Sequence, residues 1–374
     1  MTITRYIIKR AKRILHYIDR TPEVFRFCPH RLVANLYIGC EFMCKYCFAQ
    51  AIKQNYFHEI QVRINAVERI EKELQRIRRI QPINLGSAID PYQPAEKKFE
   101  ITRKVLELFD KKNIPCFIVT KSPLVLRDLD LIKNLSRKHL ITVQVTIPSI
   151  ETDFHELFEP KSPPPEKRLK IVQELSNEGI PVVVRIQPII PFVNDRLDKL
   201  EKLVDAIASA GARHIVAGFL RISLAVWDSI LPILGKLKLV DKIKELYFIS
   251  GKVDSAGYFI ANNAYRHYVL KHLFSLSKKY KLTFGTCKEG FFEFHTSRCS
   301  GVICKGFYVV TVETFWRLLR AKGRITIEDA LHIIKQYGLP KRFVSTFLDL
   351  WRKGIYFENI PNVVKKNDYY IYVN

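Results

Sequence analysis

The chain has 374 residues, 48% of them hydrophobic, which suits one large core or a main domain with a small appendage and excludes a disordered protein. Lys and Arg number 61 against 37 Asp and Glu, a formal net charge of +24. A polyanion that relieves this self-repulsion gains affinity through counterion release, so nucleic acid, RNA or DNA, is the expected partner; the competing reading is a charge-rich surface suited to high temperature. No apolar run reaches the roughly 18 residues of a membrane span, and "MTITRYIIKRAKRILHYIDR" scatters charges where a signal peptide carries an apolar run. The expected location is cytoplasmic, with no membrane partner, and there eight cysteines favour metal binding over disulfides.

In chain order, basic "IIKRAKRILHYIDR" predicts a helix covering the main domain, and residues 1–34 form a basic N-terminal helical extension. "ANLYIG" (34–39) reads as a strand leading into a cysteine-rich turn, and residues 62–80 carry helical spacing. Further strand and helix pairs follow: "INLGSAID" (83–90) with "AEKKFEITRKVLELFDKKN", "PCFIVTK" (115–121) with "PLVLRDLDLIKNLSR", and "ITVQVTI" (141–147) with "PEKRLKIVQELSNEG". "PVVVRIQPII" (181–190) pairs with "DRLDKLEKLVDAIASAG", and "HIVAGFL" (214–220) precedes more helical sequence. These strands read as continuous apolar runs, the pattern of parallel strands buried on both faces. The fold class is therefore α/β, a partial (β/α)6 TIM-like barrel with its site at the C-terminal strand ends, where Asp90, Lys121, Thr146 and Gln187 fall.

The turn "CEFMCKYC" holds Cys40, Cys44 and Cys47 in C-x3-C-x2-C spacing. Structural zinc takes a closed set of four ligands; three thiolates leave a position open, and a four-iron cluster held by three cysteines keeps one iron free. A second group, Cys287, Cys299 and Cys304, is a possible second metal or cluster site with His295 or Cys28 as a fourth ligand, or else a packed cap. Cys116, inside an apolar run, reads as a small buried hydrophobe. The barrel with its cysteine-containing cap spans residues 35–304. Residues 305–374 read as three helices and a closing β segment, a winged-helix-like domain whose third helix starts near Pro340 with Lys341 and Arg342 at its front; nucleic-acid contact and protein docking are its two possible uses.

With Tyr46 just before the last cysteine, this turn after the first strand of a βα series resembles the radical S-adenosylmethionine (SAM) superfamily. "SAIDPYQPAEKKFEITRKVLELF", "IVTKSPLVLRDLDLI", "FEPKSPPPEKRLKIVQELSNEGIPV" and "PIIPFVND" resemble, in order, segments of its spore photoproduct lyase group, over roughly residues 35–220. The resemblance implies a [4Fe–4S] cluster on Cys40, Cys44 and Cys47, SAM at its open iron, an electron donor as partner, and a 5′-deoxyadenosyl radical that abstracts hydrogen from the substrate. It places Tyr46 near the adenine and Lys121 on the methionine carboxylate. Ser87, Asp90 and Thr146 would reach the cofactor's amino group or ribose, with Arg185 and Gln187 the next cofactor candidates. Thr146 and Ser87 serve equally well as loop-satisfying groups, Asp90 as a turn opener before Pro91, and Arg185 with Gln187 as a substrate contact or a buried pair.

Two departures stand out: "LGSAIDP" lacks the cysteine that the lyase uses as hydrogen donor, and Phe48 stands where it has a tyrosine. They argue against a photoproduct lyase of the known type while leaving SAM cleavage in place. The expected function is hydrogen abstraction from nucleic acid, as nucleoside modification or lesion repair. The alternatives are a radical enzyme acting on a protein side chain or small metabolite, and an iron–sulfur regulator that binds nucleic acid.

Overall fold

The computed structural model describes residues 4–17, 22–28, 32–51, 55–77, 80–297, 310–337 and 341–373. Its N-terminal part corrects the expected helical extension. Strand β1 (Arg5–Lys9) and strand β2 (Leu15–Tyr17) precede a single short helix, Pro22–Phe27, and β3 (Leu32–Ala34). The strands prevail because distant groups satisfy their backbone. The Asn65 side chain brackets Ala11, accepting its N–H at 2.7 Å and donating to its carbonyl at 3.0 Å, and Glu73 accepts from the N–H groups of Ile14 and Leu15. The run read as one strand at 34–39 divides at Asn35 and Leu36. β3 joins the main sheet, whereas β4 (Tyr37–Ile38) turns away to pair with β5 (Glu59–Arg63), which also pairs in parallel with β1. Val62 and Arg63 are thus strand, and the following helix runs from Ala66 to Leu74.

The main sheet continues with β6 (Ile83–Leu85), β7 (Cys116–Thr120), β8 (Ile141–Thr146), β9 (Val182–Ile189) and β10 (His214–Phe219). After a small ribbon of β11 (Lys252–Val253) and β12 (Phe259–Ile260) comes β13 (Thr283–Thr286), a further parallel strand that four residues, one of them Gly285, leave without an apolar signature. The order β13-β10-β9-β8-β7-β6-β3-β2 is parallel except at the β2–β3 edge, the sheet of a partial TIM-like barrel.

The two faces of this sheet differ, which corrects the expectation of strands apolar on both sides. Ile83 and Leu85, Ile118, Val143 and Val145, Val184 and Ile186, and Ile215 and Ala217 face the covering helices and belong to one core with Val105, Leu135, Val172 and Val204. By strand alternation the inner face carries Asn84, Thr142, Gln144, Thr146, Arg185, Gln187 and His214.

Helix Val312–Lys322 is followed by β14 (Arg324–Thr326), helices Ile327–Gln336 and Lys341–Arg352, and the hairpin of β15 (Val363–Lys366) and β16 (Tyr369–Tyr372), a winged-helix-like order of elements whose antiparallel sheet runs β14-β16-β15. The aromatic core of this unit includes Phe315, Trp316, Phe347, Trp351 and Tyr356, and two residues from outside it, Phe25 and Phe292. Phe25 packs against Phe343 with ring centroids 4.7 Å apart, and Arg26 Nε donates to the Tyr356 carbonyl at 2.8 Å. The expected boundary at 304/305 lies outside the described residues. No helix among them is long and apolar enough to cross a membrane.

Candidate active site at the cysteine turn

The turn starts at Gly39, whose φ of +98° belongs to the left-handed region; a Cβ there would stand 2.5 Å from the Glu59 carbonyl oxygen. Gln93, fully buried, then pins the turn from both sides: its Nε2 donates to the Gly39 carbonyl at 3.1 Å and its Oε1 accepts from Glu41 N at 3.0 Å. The Glu41 carboxylate accepts from Ala95 N at 2.6 Å and from Tyr6 OH at 2.8 Å, tying the turn to β1 and to the helix Pro94–Phe99. Lys45 N donates to the Phe158 carbonyl at 2.9 Å. The geometry of the three thiols is thus imposed by neighbours on every side.

Burial dominates the thiols' acidity. It pushes Cys44 up to about 12, against the pull of Lys121, and raises Cys40, which also feels Asp90, and Cys47. Thiols removed from water on one turn are poor free nucleophiles and good soft ligands, because a bound iron centre supplies the positive charge that the site withholds. Among the described residues no three His, Cys, Asp or Glu side chains converge on a single metal ion. A four-iron cluster asks for no such convergence, since each cysteine ligates a different iron. The turn fits that group, and Cys40, Cys44 and Cys47 would hold it.

Behind the turn lies a buried ionic network that the sequence reading missed. Glu159, which caps the C-terminus of the helix Thr152–Phe158 beyond β8, accepts from Tyr46 OH and from Arg168 Nη2, and its Oε1 lies 3.9 Å from Lys121 Nζ. The Lys121 ammonium also sits 5.8 Å from the Tyr46 ring centroid. Arg168 Nη1 donates to the Thr146 carbonyl at 3.2 Å, which locks the end of β8 to the helix Pro165–Asn177. Burial alone would raise the Glu159 carboxyl, but Arg168 and Lys121 outweigh it and hold the group below its ordinary value. Burial would likewise lower Lys121, and Cys44 and Glu159 reverse this, so the ammonium keeps its proton. Two cations, Lys121 and Arg168, thus share one carboxylate, a balance that a ligand carboxylate at Lys121 would complete.

Of the other expected residues, Asp90 is committed internally. Its Oδ1 accepts from Thr120 Oγ1 at 2.7 Å and Tyr92 N at 2.9 Å, and its Oδ2 from Lys121 N at 2.7 Å, the turn-opening role rather than a free cofactor contact. Ser87 is half-buried in the bend after β6. Arg185 and Gln187 lie together on the inner face: Arg185 Nη1 donates to Gln144 Oε1 at 2.7 Å, its Nη2 donates to Gln187 Oε1, and the same nitrogen lies 3.5 Å from Cys287 Sγ. Burial would raise the Cys287 thiol, yet Arg185, Lys288 and Arg221 lower it.

Cys287 is therefore beside Arg185, while Cys299 and Cys304 of the expected second site lie outside the described residues. His295 is already engaged at both nitrogens: Nε2 lies 2.9 Å from Thr286 N and 2.7 Å from Thr286 Oγ1, and Nδ1 lies 3.1 Å from Glu313. That leaves it no lone pair for a metal.

Residues 34–210 match the profile of the Radical SAM superfamily. This segment, a little under half of the chain, is similar to radical SAM domains. Relatives include an uncharacterized protein of Mycobacterium tuberculosis (strain H37Rv), 29% identical over 230 residues, 59% of this chain and 68% of that one. An uncharacterized protein of Methanocaldococcus jannaschii is 37% identical over 166 residues, covering 44% and 62%. Among solved structures, a cysteine-to-serine mutant of spore photoproduct lyase aligns with a TM-score of 0.61 at 15% identity, over 75% of this chain and 82% of that one. A double mutant of the same lyase with bound AdoMet and dinucleoside spore photoproduct aligns with a TM-score of 0.58 at 15% identity, over 75% and 81%. At these identities the likeness carries the fold. The reaction has to be argued from the chain's own residues.

Proposed function

We propose that this protein is a radical SAM enzyme that holds a [4Fe–4S] cluster on Cys40, Cys44 and Cys47, takes SAM beside Lys121, and removes a hydrogen atom from a nucleic-acid substrate in nucleoside modification or lesion repair. When bound, the cluster and SAM supply one-electron cleavage of SAM and hydrogen-atom abstraction. The chain's own residues fix and shield that chemistry. Gln93 and Gly39 set the turn; Lys121, held charged by Glu159, meets the SAM carboxylate; and Tyr46, hydrogen-bonded to Glu159 and 6.4 Å from the Phe154 ring, closes one wall against water.

The observation that carries the enzyme reading is the open set of three thiols on one turn, Cys44 buried and Cys40 and Cys47 partly so, with Lys121 near Cys44 and Cys47. Nucleic acid as substrate is supported by the +24 charge and by the exposed cations Lys341, Arg352, Lys365 and Lys366 on the third helix and hairpin of the C-terminal unit. The similarly folded spore photoproduct lyase, bound to a dinucleoside photoproduct, points the same way.

The test is anaerobic incubation of reconstituted, reduced protein with SAM, and with total RNA, DNA or ultraviolet-irradiated DNA. Formation of 5′-deoxyadenosine stimulated by one nucleic acid, with a mass change in its nucleosides, is the expected result. Stimulation by peptides or metabolites alone would transfer the substrate to those classes. No 5′-deoxyadenosine under any condition would favour an iron–sulfur regulator.

A further inference from the structure

The barrel and the C-terminal unit meet at the C-terminal rim of the main sheet. The ribbon of β11 and β12 is anchored there, since Ile222, just past β10, exchanges backbone hydrogen bonds with Phe259 at 3.0 and 2.9 Å. Gly290, just past β13, comes so close to the other unit that a Cβ on it would stand 3.0 Å from the Asn359 carbonyl oxygen. Along this seam lies a cleft of about 280 Å³. Its walls include Lys252 on the ribbon, Asn263 and Arg266 on the helix Asn263–Lys279, and Glu358, Lys365 and Tyr370 of the C-terminal unit.

Most of the polar groups here offer a proton. Tyr370 is 2% exposed, and its hydroxyl finds no hydrogen-bond partner among the described residues. Burial pushes this phenol up to about 12 against the pull of Arg26, so the proton stays on. Buried polar atoms are paired almost everywhere in folded proteins, so an unanswered hydroxyl in the wall of a cleft marks a place for a ligand. Asn263 Oδ1 accepts from Arg266 Nη2 at 3.0 Å, which turns the Asn263 NH2 outward as a donor. With Arg266 Nε on the Ala261 carbonyl and both Nη1 hydrogens on Glu289, one Nη2 hydrogen remains. Asn263 also opens a helix of 17 residues, whose positive dipole end faces the cleft. Glu358 lies 3.4 Å from Arg26 and Arg266 is paired with Glu289, so the ammonium groups of Lys252 and Lys365 set the charge of the cleft.

These groups select an anion with acceptors on several sides. A metal ion would meet two ammonium groups and a carboxylate already held by Arg26. A carboxylate offers its oxygens in one plane, whereas the donors come from three walls: ribbon, helix and hairpin. A tetrahedral phosphate can meet all three. The cleft is also smaller than the ~300–1,000 Å³ of pockets that enclose a whole small molecule, which suits one group of a longer chain. We propose that this seam holds one phosphate of the substrate strand, between Lys252 and Lys365 and hydrogen-bonded by Tyr370, Asn263 and Arg266, so that the barrel and the C-terminal unit hold one nucleic acid at their junction. This rests on the nucleic-acid reading above and adds a built position to its surface lysines.

The experiment measures binding of short single-stranded DNA and RNA to the reconstituted full chain, by fluorescence anisotropy over a range of salt, and in a separate arm the melting temperature with inorganic phosphate. Tyr370→Phe keeps the ring packing and removes only the hydroxyl. With an unchanged unfolding midpoint, it should weaken strand binding about tenfold, the scale of one hydrogen bond to a charged group, at an unchanged salt slope. Lys252→Gln should instead lower the slope of log affinity against log salt by about 0.7. The double variant should lose less than the product of the two single losses, because both side chains meet one group. Wild-type affinity in Tyr370→Phe, or losses that simply multiply, would overturn the seam site while leaving nucleic acid as substrate. Phosphate that raises the melting temperature of the wild type but not of Lys252→Gln, with no strand bound at any salt concentration, would make the cleft a site for free phosphate and defeat the nucleic-acid reading. Binding of neither strand nor phosphate would overturn both.

Discussion

Arg168 and Glu159 form an ion pair inside the molecule, their side chains 0% and 1% exposed. Removing Arg168 strips the buried Glu159 carboxylate of its nearest cation and leaves Lys121, 3.9 Å away, to carry the pairing, which is far more costly than deleting a surface pair. Arg168→Ala is therefore expected to destabilise the fold by ~3–5 kcal/mol, read from denaturant midpoints. It should also weaken SAM binding, because Glu159 would then draw Lys121 closer. An exposed pair such as Arg196 with Asp198 is the control: Arg196→Ala should leave the denaturant midpoint nearly unchanged.

Acid should unfold the protein in two stages. His214 is pushed down to about 3 by burial, so the unfolded chain binds a proton that the folded chain refuses once pH falls below the ordinary histidine value of about 6.5. Glu159 is also lowered, and its contribution is present above the ordinary carboxylate range and disappears as pH falls through the folded value. Stability should thus decline from about pH 6.5 downward, then more steeply below about 4.5. In His214→Phe the first decline should be shallower; an unchanged slope between pH 6.5 and 5 would show that His214 titrates normally.

Replacing Gly39 by Ala should strain the turn twice. A positive φ costs a side chain about 1–2 kcal/mol, and the new Cβ would collide with the Glu59 carbonyl. Gly39→Ala is expected to lower iron and sulfide content after anaerobic reconstitution. Cys44→Ala should lower it with little change in the melting temperature of the unreconstituted chain. Equal iron content in Cys44→Ala and wild type would remove the thiol from the ligand set.

Much of the barrel was legible because β7, β8, β9 and β10 are long and strongly apolar, and the cysteine spacing marks its site without help from the fold. The N-terminal strands were not legible: "RYIIK" is basic and short, and what makes it a strand is β5, more than 50 residues later. Glu159, Arg168 and Gln93 carry no local signal, since each acts through residues brought close only by folding. Gln144 did leave a trace. In "ITVQVT" every second residue is polar, and in "VVVRIQ" the last half alternates, a pattern that a reading of continuous apolar runs passes over.

Nucleic-acid binding should fall steeply with salt. If Lys341, Lys365 and Lys366, all exposed, meet phosphates, then replacing each by Ala should reduce the slope of log affinity against log salt by about 0.9 on duplex DNA, uniformly across sequences. A slope identical to wild type in the triple variant would place the nucleic-acid track elsewhere on the chain.

The insertion of Phe25 and Arg26 into the aromatic core of the last 65 or so residues has a practical side. The C-terminal unit cannot be excised as a module by one cut, because a fragment beginning after residue 305 leaves behind the side chains that complete its interior. The beginning of the polypeptide is a structural ingredient of its end. Fusion tags, truncations or grafts at the N-terminus therefore act on the C-terminal unit first, long before they reach the cysteine turn that lies between them in sequence.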